Sequence, residues 1–220
     1  MHKGPAKVLV GVPSMDTWKA DFAMSLIYMV TYSARSVPAG GPRVDMLRLW
    51  NSRGSLLPRQ RTTLVKQALE MQATHILFLD SDMTFPANTL ECLLSRGKSV
   101  VAANCAVKQI PSQPTARAKS DKPNGEQVFT HTSSVGLERV WRVGTGIMLV
   151  ETRVFRQISE PWFPFGWNEE TKEYVGEDWE FCKRLEAAEI PIYIDHSLSK
   201  SVGHIGDFVY EHKHVEPLYG

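Results

Sequence analysis

The feature that most constrains this chain is the run Ile76-Leu77-Phe78-Leu79 leading straight into Asp80-Ser81-Asp82. Four consecutive apolar residues bounded by polar ones read as a strand buried on both faces, as in the middle of a parallel sheet. Carboxylates at its C-terminal end then fall on the rim where open α/β sheets bind ligands. In strand geometry Asp80 and Asp82 share a face, but they converge on a ligand only if the strand ends and the chain turns between them. Two like charges so close call for a cation, or for one carboxyl to keep its proton. A strand-to-helix cap remains the bland alternative.

The flanking sequence repeats the pattern. Lys7–Val12 reads as a first buried strand stopped by Pro13 and Ser14, and a helix is expected from about Thr17 to Ser33. A Pro/Gly-rich loop at Ser36–Pro42 precedes a second strand at Val44–Leu49, and a loop carrying Arg53 follows. Arg59–Met71 has helical spacing, with Arg59 and Arg61 in its expected first turn. Cations there oppose the helix dipole, a conflict that a bound anion would offset and that a solvated basic face would also tolerate. A helix opened by Pro86 and a fourth strand at Lys98–Ala103 complete an alternation that predicts a Rossmann-like half.

The rest is less regular. Asn104–Asn124 contains three prolines and Lys108, Arg117, Lys119 and Lys122, and reads as a long surface loop. Short strands of a mixed sheet are expected at Gln127–His131 and Leu137–Trp141. Val143–Val150 is an apolar strand entered through Gly144-Thr145-Gly146, where glycine lets backbone approach a ligand or simply marks a bulge. A short helix at Thr152–Ile158 leads to an aromatic loop with Trp162, Phe163, Phe165 and Trp167, which reads equally as a sugar platform or a core plug. A helix at Gly176–Glu189 opens with Gly176-Glu177-Asp178, where Asp178 suits an N-cap. After a strand at Ile190–Ile194, one histidine, His204, lies between two glycines. The His-Lys-His run at 212–214 reads as a solvated tail.

Composition limits the partners. The 220 residues carry a net charge of +1, so no strong field argues for nucleic acid. Three cysteines without a CxxC pair argue against a disulfide framework and point to a reducing, cytoplasmic setting. No signal-peptide pattern opens the chain, and no apolar run approaches the roughly 20 residues of a membrane span.

Taken together, Leu77–Asp82, Arg61-Thr62-Thr63, Gly144–Gly146, Gly176–Asp178 and Gly203-His204 resemble the GT-A nucleotide-sugar glycosyltransferases, the family 2-like group in particular. The resemblance spans about residues 7–206. It implies an α/β fold: one Rossmann-like GT-A domain over 1–220, with a mostly parallel mixed sheet, a nucleotide-binding half at about 1–103 and an acceptor-side half at about 104–220. It implies a nucleoside-diphosphate sugar donor, a hydroxyl acceptor, and a Mn²⁺ or Mg²⁺ ion that neutralises the leaving diphosphate. By the same resemblance Asp82 and His204 are metal ligands, with Asp80 at the ion's water shell or the ribose. Val12, Pro13, Ser14, Arg61, Ser81, Gly144, Thr145 and Gly146 line the donor. Asp178 is the general base, Glu177 stands beside it, and Trp162 and Trp167 face the acceptor. The second strand lacks the usual paired aspartates, and Gly-His also occurs in retaining members; inversion is favoured. The readings that stay open are a haloacid dehalogenase-like phosphatase with Asp80 as nucleophile, a GT-A-like nucleotidyltransferase, and a catalytically dead nucleotide-sugar-binding module.

Overall fold

Strands that are apolar at every position need a protein layer on each face, and two layers are found in the computed structural model, which describes residues 5–35, 44–169 and 172–215. Alternate residues of one strand serve opposite layers. Leu9, Ile76 and Phe78 join one core with Leu64, Val65 and Ala68, whereas Val8, Val10, Leu77 and Leu79 join the other with Phe22, Leu26 and Met29. The Ser36–Pro42 loop lies outside the described residues.

In chain order the elements are β1 (Ala6–Ser14), α1 (Ala20–Arg35), β2 (Val44–Arg53), α2 (Leu57–Glu70), β3 (His75–Leu79), β4 (Met83–Thr84), α3 (Thr89–Ser95) and β5 (Val100–Ala102). There follow β6 (Arg117–Ala118), β7 (Glu126–Gln127), β8 (Leu137–Val140), β9 (Ile147–Glu151), β10 (Gly166–Asn168), β11 (Glu173–Val175), α4 (Glu177–Ala187), β12 (Ile192–Asp195), α5 (His196–Ser199), β13 (Gly203–Ile205) and β14 (Val209–Tyr210). A 3-10 turn, Thr152–Arg156, stands where a short helix was expected.

The main sheet has seven strands in the order β2-β1-β3-β9-β5-β12-β8. β8 and β9 run against the others, so the sheet is mixed and mostly parallel. The expected alternation is present, but β5 does not neighbour β3: β9, from the second half of the chain, pairs antiparallel with both. Both ends of the chain therefore contribute to one sheet. Of the two short strands expected before β9, only Leu137–Val140 enters it, as β8 at an edge. Glu126–Gln127 pairs instead with Arg117–Ala118 in a separate ribbon.

Three boundaries differ in ways that matter for the site. β1 continues through Pro13 to Ser14, because β3 pairs only with Val8–Gly11, so the missing proline N–H falls beyond the shared ladder. α2 begins at Leu57, which puts Arg61 beyond the first turn. β9 begins at Ile147, leaving Gly144–Gly146 as a backbone link that faces the sheet's rim.

An aromatic stack sets the position of α4. Its apolar face buries Phe181, Cys182 and Leu185. The Phe181 ring lies 4.5 Å from Phe163 and 5.7 Å from Phe155, and Phe163 in turn meets Phe78 of β3 at 5.5 Å. Each such pair adds about 0.5–1.5 kcal/mol beyond burial. The stack thereby ties the helix that begins with Glu177 and Asp178 to the strand that ends at Asp80.

Candidate active site

The sheet's rim gathers two charged clusters, one on each aspartate of the Asp80-Ser81-Asp82 turn. The strand ends at Leu79, and Met83 N–H donates to the Asp80 carbonyl (3.1 Å), closing the turn that the two carboxylates need if they are to serve one site.

The inner cluster is built on Arg61. Its guanidinium is 2% exposed, donates to Asp80 Oδ1 at 2.9 Å and to Glu177 Oε1 at 3.2 Å, and lies 5.8 Å from the Phe78 ring centre. The cation in α2 thus needs no free anion, since two carboxylates already hold it. Burial works against its charge, but Asp80, Glu177 and Asp178 outweigh this and raise its pKa. One guanidinium nitrogen, Nη1, is buried with no hydrogen-bond partner.

Asp178 stands at the edge of this cluster. The N-cap of α4 is Gly176, not Asp178, whose Oδ1 accepts from the Trp179 N–H at 2.8 Å. Gly176 lets the carboxylate fit, since an added Cβ there would lie 2.8 Å from Asp178 Oδ1, and Gly144 passes on the other side, 3.6 Å from Oδ2 by the same measure. Burial, with the neighbouring Glu177, pushes the Asp178 pKa up to about 6 against the pull of Arg61.

The outer cluster is built on Asp82. β13 pairs antiparallel with β4, setting His204 opposite Met83, and Ile205 N–H donates to the Asp82 carbonyl at 2.7 Å. This pairing delivers a histidine from the far end of the chain: His204 Nε2 lies 3.4 Å from Asp82 Oδ1. His204 Nδ1 is 3.0 Å from the Ala106 carbonyl, which only accepts, so Nδ1 carries the hydrogen and Nε2 faces Asp82. Lys108 Nζ pairs with Asp82 Oδ2. Burial opposes ionisation of Asp82, but the neighbouring His204 and Lys108 overcome it and hold its pKa at about 2.

The set expected to hold a metal, Asp80, Asp82 and His204, is not assembled as three. Among the described residues no group of three or more His, Cys, Asp and Glu side chains is placed to bind an ion. Asp80 is turned to Arg61, which leaves Asp82 and His204. That pair still fits a hard divalent ion that takes its remaining ligands from phosphate and water, and the Ala106 carbonyl behind His204 is the usual support for a ligating imidazole.

The other expected site residues divide. Gly146 accepts from the Asp80 N–H at 2.9 Å, and Thr145 is buried with an unpartnered hydroxyl, so the Gly-Thr-Gly link does run beside the aspartates. Ser81 accepts from the Lys19 N–H at 3.3 Å, tying the turn to the residue preceding α1. Val12, Pro13 and Ser14 are buried, so no side chain of theirs borders open space. Asn51 Nδ2 instead donates to Val12 O at 2.9 Å and Ser14 Oγ at 2.7 Å. Trp162 does not reach an acceptor. It is 5% exposed, packs on Phe155, and its indole N–H donates to the Phe155 and Ile158 carbonyls: the core plug, not the platform. Trp167 is 47% exposed. Lys108 was legible only as one basic residue of a long loop.

No family model matches the chain, and no curated protein matches it. Solved structures do. A197 from STIV matches with a TM-score of 0.62 at 16% identity, covering 97% of this chain and 98% of that one. GalNAc-T7, crystallised with UDP, GalNAc and Mn²⁺, matches with a TM-score of 0.57 at 13% identity over 93% of this chain and 44% of its own length. The catalytic domain of Drosophila beta1,4-galactosyltransferase 7, in complex with xylobiose, gives 0.51 at 16% identity over 91% and 71%. At these identities the likeness concerns the fold, and the fold is GT-A-like.

Proposed function

We propose that this chain is a metal-dependent glycosyltransferase, moving a hexose or related sugar from a nucleoside-diphosphate sugar to a hydroxyl acceptor. The observation that carries the reading is β13, which brings His204 onto Asp82 at the rim of a GT-A-like sheet, close to the partly buried Asp80 and Asp178. Asp82 and His204 hold a Mn²⁺ or Mg²⁺ ion, and an imidazole ligand suits Mn²⁺ somewhat better. When bound, the ion acts as a Lewis acid on the charge that develops on the leaving diphosphate.

The chain's own groups supply the rest. Arg61 fixes Asp80 through Oδ1 and orients it towards the donor's ribose side. Lys108 adds a second, mobile-ended positive charge beside the diphosphate. Asp178 takes the proton of the acceptor hydroxyl as that oxygen attacks the anomeric carbon. A base with a pKa near 6 is largely ionised at neutral pH and still binds a proton well enough to be effective. Glu177, held by Arg61, orients this end of α4. A direct attack of this kind inverts the anomeric centre, and the product's anomeric configuration, read by NMR, tests that part separately.

The central test is donor hydrolysis and transfer with a panel of UDP-, GDP-, CDP- and TDP-sugars, with and without Mn²⁺. At least one donor is expected to turn over only with the ion, and Asp82→Ala should reduce that turnover by about 10²-fold or more. Turnover unaffected by Asp82→Ala, or no binding of any donor, would sink the proposal.

A further inference from the structure

Beside the Asp178 end of α4 lies a second feature that the donor chemistry does not use. β10 and β11 form an antiparallel ribbon in which Trp167 stands opposite Tyr174, their rings 5.2 Å apart and edge to face. Trp167 is 47% and Tyr174 81% exposed, an unusual display of two aromatic faces on a ribbon of two short strands. The ribbon, with Glu173 on it and Glu169 beside it, forms one wall of a cavity of about 490 Å³, whose other walls bring Arg142, Trp179, Glu180 and Lys183.

The walls are built to hold their shape. The Arg142 guanidinium lies 3.7 Å from the Trp141 ring centre and 4.8 Å from that of Trp179, and its Nε is buried with no hydrogen-bond partner. Glu180 is packed against Gly166, where any Cβ would collide with its carboxylate. Gly176 lines the same cavity and is the last residue before Glu177 and Asp178, with Asp178 Oδ1 2.8 Å from where a Gly176 Cβ would stand.

We infer that this cavity binds a neutral saccharide ring, and that the acceptor of the proposed transfer is therefore a sugar. The inference rests on the glycosyltransferase reading for its link to Asp178. The chemistry of the walls selects the ligand class: indole and phenol faces cover the C–H face of a pyranose, and the carboxylates of Glu169, Glu173 and Glu180 accept hydrogen bonds from its hydroxyls. The three carboxylates of the lining outnumber its two cations, Arg142 and Lys183, which disfavours a phosphate or a carboxylate ligand. Arg142 is a fixed donor for a ring or hydroxyl oxygen. The volume is that of an ordinary small-ligand site.

Saturation-transfer NMR on the full chain, with the methyl glycosides of glucose, galactose, mannose, xylose and N-acetylglucosamine as probes, tests this directly. At least one probe should receive saturation on its ring protons. Trp167→Ala and Tyr174→Ser, each checked for an unchanged circular dichroism spectrum, should each weaken that binding about tenfold. No transfer to any probe, or binding unaltered in both folded variants, overturns the inference. Donor hydrolysis by the wild-type chain is scored in parallel. Hydrolysis without saccharide binding removes this inference alone, whereas saccharide binding without any donor binding keeps the cavity and removes the transferase reading.

Discussion

The two aspartates of one short turn have opposite fates. Asp80 turns inward to a buried guanidinium, 2% exposed, which serves Asp80 and Glu177 directly and Asp178 at longer range, although Asp80 itself is 29% exposed. Asp82, equally exposed at 29%, turns outward to Lys108 and His204, which are partly exposed themselves. Burial, with Glu177 beside it, pushes the pKa of Asp178 up to about 6, while Lys108 and His204 overcome burial and hold that of Asp82 at about 2. The inner cluster is thereby suited to handling a proton, and the outer one to exchanging its cation for another.

Removing the inner cation should break this contrast most severely. Arg61→Met leaves the buried Glu177 and the partly exposed Asp80 without their partner, which costs up to about 3–5 kcal/mol of stability. Urea unfolding at neutral pH measures it. Arg61→Lys, which keeps the charge but loses the two-pronged geometry, should fall between. A loss under about 1 kcal/mol for Arg61→Met would show that solvent at the exposed side of Asp80 already compensates the carboxylates and that the guanidinium does not hold the cluster together.

Asp178→Asn probes the same cluster from its anionic side, with a smaller effect on stability and of opposite sign. A carboxyl whose folded pKa is raised binds its proton better folded than unfolded. Its charged form therefore costs nothing below about pH 3.8, costs progressively more up to about pH 6, and a constant amount above. Allowing for its partial exposure, the variant should be more stable than the parent by on the order of 1 kcal/mol at pH 7–8, with the gap closing towards pH 4. Transfer should fall by about 10²–10⁴-fold, and wild-type transfer should decline as pH drops through about 6. Retained transfer in Asp178→Asn would place the base elsewhere.

Much of this arrangement was legible in the sequence, for identifiable reasons. Strands buried on both faces must be apolar at every position, so β1, β3, β5 and β9 announced themselves. Periodicity, however, says nothing about neighbours, and so the insertion of β9 between β3 and β5 was not visible. Asp80, Asp82 and Asp178 stood out because acidic residues at element ends have a local signature. The partner of Arg61 did not, because Glu177 lies 116 residues away and only the tertiary fold joins them. Trp162 and Trp167 look alike in one loop. What separates them is that Gly166–Asn168 becomes a ribbon strand, while Trp162 finds two backbone carbonyls for its indole N–H.

The smallest expected effect concerns the outer cluster and is the one most specific to it. Lys108 and Asp82 are both about one-third exposed, so Lys108→Ala should change stability by less than about 1 kcal/mol. Its effect on ion binding should be larger than its effect on folding. The amine occupies Asp82 Oδ2, the oxygen an incoming cation needs, and its positive charge repels that cation. Titrating Mn²⁺ into the chain without nucleotide, followed by electron paramagnetic resonance, should therefore show a few-fold tighter binding in Lys108→Ala than in the parent. In the presence of a nucleoside diphosphate the advantage should shrink or reverse, because the same amine then lies beside phosphate instead of competing for the carboxylate. An unchanged Mn²⁺ affinity in both conditions would mean that Lys108 and the ion do not share Asp82, and that the outer cluster is no more exchangeable than the inner one.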